Sequence, residues 1–166
     1  DALRWFLVSS PILRGQNLMM DSTGAGIDSS LRQVIVPLWN ASYFFTLYSN
    51  LENYKPKLIN TAQLSIDRYI LSKLKAMSEL VKESLTNYNI TDACEAIFEF
   101  IDILNNWYIR RSRNRFWGKA DNQDAKFAYD TLFTVLNTLL KASAPLIPLT
   151  SEKLYKNLNQ GKSVHL

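Results

Sequence analysis

Where many functions need several cysteines or histidines, this sequence has one of each, and it has no long apolar run. Cys94 has no second thiol to pair with, so an internal disulfide is excluded. Cys94 and His165 together cannot build a zinc site of the usual N/S kind. A reducing, cytoplasmic compartment is the expectation that follows. No secretory leader is expected, because "DALRWFLVSS" opens with an acid and lacks both a basic start and a small-residue cleavage site. The longest apolar stretch, "VIVPLWNASYFF", is about half a membrane span and is broken by Pro37 and Asn40, which predicts a soluble protein with no membrane partner. Glycine and proline number only five each, which sets aside fibrous and Pro/Gly-rich disordered classes.

What is present fits one globular chain. With 166 residues and 47% hydrophobic composition, folding can bury about 70% of the surface that the unfolded chain exposes. The net charge is +4, and its location matters more than its size. Arg110, Arg111, Arg113, Arg115 and Lys119 lie within ten residues that contain no acid. Without those five, 14 basic and 15 acidic residues remain, so the whole basic excess is one patch. A concentrated patch creates a local potential that attracts polyanions.

Apolar periodicity predicts helices throughout. Residues 1–10 read as a short helix ended by Pro11, and 11–26 as an irregular connector. The "STGAG" run there lacks the lysine and glycine spacing of a phosphate loop. Asp28 can cap a helix that Pro37 should kink near residue 36. A second helix is expected over about 63–87. A third, over about 92–117 and closed by Gly118, is apolar around most of its girth and reads as the central, most buried member. A fourth spans about 124–143, and Thr150 can cap a short fifth helix through Leu158. Short connections favour antiparallel neighbours, so the fold class is all-α: an antiparallel bundle of four long helices with short helices at its ends.

On a wheel at roughly 100° per residue, Phe100, Ile101, Leu104, Tyr108, Arg111 and Arg115 fall within about 60° of Ile97. Arg110, Arg113 and Trp117 fall on the opposite side. Arg111 and Arg115 thus continue the core stripe past its last apolar residue, where each can bond a carboxylate or the carbonyl ends of neighbouring helices, the competing reading being direct ligand contact. Asp67, Asp102 and Asp130 are candidate partners, and the sequence does not choose among them. Arg110, Arg113 and Trp117 point outward, flanked by Lys119, as phosphate-pairing and base-stacking groups suited to a single-stranded RNA loop. The competing account is cations placed for the helix dipole and an indole that covers the fourth helix.

No catalytic constellation emerges. Cys94 has no basic neighbour to activate it, His165 is terminal, and "KAMSE" at 75–79 lies inside an amphipathic helix with Met77 in the core.

Several segments resemble the C-terminal region of class I isoleucyl-tRNA synthetases. They are "LSIDRYILSKLKAMSELV" (64–81), "WYIRRSRNRFWGK" (107–119), "YDTLFTVLNTLLKASAPLIPLTSEKLYKNL" (129–158) and "SVHL" at the end. "DALRWFLVSSPILRGQNL" (1–18) with "VPLWNASYFFTLY" (36–48) is similar to the junction after the KMSKS loop of those enzymes. The resemblance implies a junction segment over 1–26 and an anticodon-binding helical bundle over 27–166. It implies tRNA as partner through its anticodon stem and loop, with Trp107, Arg110, Arg111, Arg113, Arg115, Trp117 and Lys119 in the family's basic signature segment. It further implies a parent isoleucine-tRNA ligase that uses ATP and Mg²⁺, with chemistry in a catalytic domain to which this chain is joined. No HIGH-type or KMSKS signature is present, so the chain reads as a piece of that enzyme with no cofactor of its own. The alternatives are the same module from a valyl-tRNA synthetase, and a helical docking scaffold without RNA contact.

Overall fold

The short polar breaks between apolar helices let each helix fold back on the one before it. The computed structural model describes residues 1–18, 22–117 and 122–166, and among them every regular element is helical. Helix α1 is Ala2–Val8, followed by a single 3₁₀ turn at Pro11–Arg14. Helix α2 runs without a break through Ala25–Ser30, a π-helical turn at Leu31–Ile35, and Val36–Leu51. Helix α3 is Ser65–Thr86. Helix α4 runs through Ile90–Asp102, a second π-helical segment at Ile103–Ile109, and Arg110–Phe116. Helix α5 is Gln123–Ser143 and α6 is Pro148–Leu158.

Several expected details change. Pro37 cannot donate to the helix ladder and crowds the preceding turn, and α2 takes this up in the widened Leu31–Ile35 turn just upstream. Asp28 does not cap α2, because Gly24, at φ 72°, precedes the first turn and Asp28 lies inside it. Thr150 does not cap α6, which begins two residues earlier on Pro148, whose fixed φ suits a first helical position. Gly118, expected to close α4, lies outside the described residues, and the helix ends at Phe116.

The bundle is built on the α3–α4 hairpin, with α5 packed against α2, α3, the end of α4, and α6. The expectation that α4 is the most buried member does not hold. Twelve of the 21 residues of α5 are buried, whereas α4 leaves Glu95, Phe98, Glu99, Asp102 and Asn106 exposed. Between α2, α3, α4 and α6, α5 buries polar residues such as Thr131, Thr134 and Asn137 as well as its apolar stripe, and apolar counting passes those over. Residues 1–10 are docked on the α5–α6 connection, where Arg4 donates to the carbonyls of Pro145 and Leu146 at 3.0 and 3.1 Å. No helix among the described residues is long and apolar enough to cross a membrane.

Candidate nucleic-acid interface

The basic stretch occupies the last two turns of α4, downstream of a π-helical segment. A π turn adds a residue to the turn and so rotates everything after it by about 100° relative to an unbroken α-helix. The buried stripe of α4 accordingly continues from Leu104 and Tyr108 to Ser112 and Phe116. Arg111 is thereby moved off the core stripe on which a uniform wheel places it, and is exposed.

Arg115 sits at the edge of that stripe and is almost fully engaged. Its terminal nitrogens donate to both oxygens of Asp67 on α3, at 2.8 and 2.7 Å. Its Nε donates to Asp124 Oδ1 on α5 at 2.7 Å. Asp67 has 0% side-chain exposure and Arg115 only 12%. Tyr108 completes the cluster by donating its hydroxyl to Asp67 Oδ1 at 2.7 Å. Burial, and next the charge of Asp67, push the Tyr108 phenol well above its usual range. Burial opposes the charge on Arg115, but bonding to Asp67 and the field of the surrounding groups outweigh it and raise its pKa. Of the three candidate acids, Asp67 is therefore the partner of Arg115. Asp102 instead accepts from Asn106 Nδ2 at 2.6 Å, and Asp130 from the Tyr54 hydroxyl and the Lys57 amide.

Arg111 has an aromatic partner instead of a carboxylate. Its guanidinium lies 5.3 Å from the Trp107 ring centroid, and Trp107 in turn contacts the Tyr69 ring on α3 at 4.5 Å. Lys73 lies 5.7 Å from the Tyr69 ring, one turn along α3. Lysine, tyrosine, tryptophan and arginine thus form a ladder across the α3–α4 groove. A guanidinium laid on an indole keeps its N–H donors available at the edge, pre-ordered for an anionic oxygen.

Arg110 and Arg113 are exposed, and neither side chain has a hydrogen bond or ion pair with any described residue. Trp117 is 58% exposed, and its Nε1 donates to the Tyr48 hydroxyl on α2 at 2.9 Å, which fixes the indole without covering it. Lys119 lies outside the described residues. Of the seven candidate positions, then, Arg110, Arg113 and Trp117 are open, Arg111 and Trp107 are joined to each other, and Arg115 is tied to Asp67 and Asp124.

The sequence reading missed Tyr69, Lys73, Tyr48 and Asp124. Tyr69 and Lys73 stand four apart on α3, a spacing that puts both on one face. Tyr48 and Asp124 meet the patch only through tertiary packing, at separations of 69 and 9 residues. Cys94 is buried, and burial pushes its thiol up to about 12. No group of three or more His, Cys, Asp or Glu able to hold a metal occurs among the described residues.

The family model described as the anticodon-binding domain of tRNA ligase matches residues 67–166. The chain belongs to that family. The match begins at the acid that holds Arg115 and takes in α4, α5 and α6, so the basic end of the bundle belongs to the anticodon-binding domain itself. Isoleucine–tRNA ligase of Leifsonia xyli subsp. xyli is 47% identical over 167 aligned residues that cover all of this chain. The isoleucine–tRNA ligases of Bifidobacterium longum and Wolbachia pipientis wMel are 43% and 42% identical, again over the whole chain. The chain spans about 15% of the length of these relatives.

Proposed function

We propose that this chain is the part of an isoleucine–tRNA ligase that holds the anticodon stem and loop of its tRNA. One observation carries the reading: two arginines without carboxylate partners among the described residues, Arg110 and Arg113, on the same short helical end as a fixed and uncovered indole, Trp117. Phosphates of a looped strand pair with the guanidiniums, and an unstacked base lies on the indole. Arg111, held over the Trp107 ring, meets a further phosphate, and Trp107 positions it. Arg115 contributes by fixing α4 to α3 and α5. Lys119 adds charge to the same end of the stretch. The ligation chemistry, with ATP and Mg²⁺, belongs to the catalytic part of the same cytoplasmic enzyme, to which this domain delivers the tRNA.

Salt dependence tests the reading. If Arg110, Arg113 and Lys119 each neutralise one phosphate, log K for tRNA falls with log salt at a slope of about −2 to −3. Replacing any one of them with alanine flattens that slope by about one unit. Trp117→Ala weakens binding without changing the slope. Binding that is undetectable in the intact ligase, or indifferent to all four substitutions, refutes the reading and favours a helical docking scaffold.

A further inference from the structure

At the C-terminal end of α2 the structure contains a cleft that the basic stretch does not reach. It has a volume of about 450 Å³ and lies where the ends of α2 and α6 converge on α5. Its lining includes two aromatic rings, Phe45 and Phe133, which stack on each other at 5.8 Å with an interplanar angle of 28°. Its walls carry the amides of Asn50, Asn53, Asn157 and Gln160, and Lys55 and Lys162 also line it. None of the lining residues is acidic.

Three features single it out. The four amides are exposed, and their side chains have no hydrogen-bond partner among the described residues. Asn53 and Gln160 hold left-handed backbone conformations, at φ 50° and 55°, where the chain leaves α2 and α6. Such conformations are costly for a residue like glutamine and are maintained only by the surrounding packing. Finally, the cleft and the proposed interface draw on neighbouring residues of α2. The Trp117 indole is bonded to Tyr48, and Ser49 and Asn50, next along α2, already line the cleft.

A carboxamide offers a donor pair and an acceptor side by side, the pattern that matches the edge of a nucleobase. Aromatic rings in the lining suit a planar ligand, and lysines there suit the phosphates on either side of it. We propose that this cleft receives one unpaired base of the RNA loop, whose edge is read by the amides of Asn50, Asn53, Asn157 and Gln160. The Tyr54 hydroxyl is not part of that reading surface, because it is spent on Asp130. The assignment rests on the RNA-binding reading above and adds to it where a base is distinguished.

The test uses the intact protein and an RNA hairpin with the anticodon stem and loop, plus a series of hairpins with one abasic residue at each unpaired position. Asn50→Ala/Asn157→Ala should lower affinity for the unmodified loop about 10-fold. One abasic position should produce the same loss with the unsubstituted protein and no further loss with the double variant. Both side chains are exposed, so melting temperature should not change, which separates this outcome from misfolding. If the double variant binds the intact loop normally while Arg110→Ala/Arg113→Ala weakens it, the cleft assignment is overturned and the interface stands. If every abasic position adds its full loss in the double variant, the assignment also fails. Absence of binding by the unsubstituted protein overturns both.

Discussion

Removing the carboxylate of Asp67 while leaving Arg115 in place gives the sharpest test of how α4 is held. Asp67 is fully buried and accepts two bonds from Arg115 and one from Tyr108, all at 2.8 Å or less. Breaking a buried pair from one side leaves an uncompensated charge and costs about 3–5 kcal/mol. The Arg115–Asp124 contact softens the loss little, because the Asp124 side chain is 42% exposed and a pair open to solvent is worth at most about 1 kcal/mol. For a chain of this size about 2–4 °C accompanies each kcal/mol, so Asp67→Asn should lower the melting temperature by about 6–20 °C. Asp67→Leu/Arg115→Met should recover part of that loss, since no unpaired buried charge remains although the Tyr108 hydroxyl loses its acceptor. The assay is urea and thermal unfolding of Asp67→Asn, Arg115→Met and Asp67→Leu/Arg115→Met. Measured well below its melting point, Arg115→Met should keep the salt slope for RNA that the unsubstituted protein has. A stability change under about 0.5 kcal/mol for Asp67→Asn, or a slope flattened by one unit for Arg115→Met, would refute the division of labour among the arginines.

Trp107→Leu should weaken RNA binding through loss of order in Arg111, and Arg111→Ala in the same background should cost less than it does alone; a double-mutant cycle checks this. Cys94 should react with a maleimide at pH 8 only as fast as the protein opens, because burial pushes its thiol up to about 12; mild urea should accelerate labelling. Glu152 is held down to about 2, chiefly by Lys156 and then by the Val164 amide, and it also accepts from Ser163. A depressed carboxylate stabilises above its ordinary pKa of 4.5 and loses that contribution as pH falls toward 2. Protection of the Val164 amide, its exchange rate relative to the intrinsic rate at each pH, should therefore fall over that acid window, and Glu152→Gln should abolish the transition.

Helix spacing made α3, α4 and α5 legible to within about two residues, because burial of one face demands the period that the apolar residues display. The basic patch was equally legible, since charge is a property of the side chains themselves. The roles within it were not. A uniform wheel treated Arg111 and Arg115 alike, yet the π turn at Ile103–Ile109 shifts the core stripe to Ser112 and Phe116 and sends the two arginines to different partners. Nor did amphipathy reveal that α5 is the more buried helix, because threonine, alanine and asparagine are buried where several helices crowd one.

By itself, then, the order of residues determined that this chain is helical, that its positive charge is gathered at one place, and that aromatic rings flank it. Those properties follow from local periodicity and composition. Only the folded arrangement decided which cations remain available: Arg115 is neutralised by an acid 48 residues away, Arg111 is laid on an indole, and Arg110 and Arg113 are left open. Pairing depends on distances between helices, and those are set by packing that no short stretch of sequence contains.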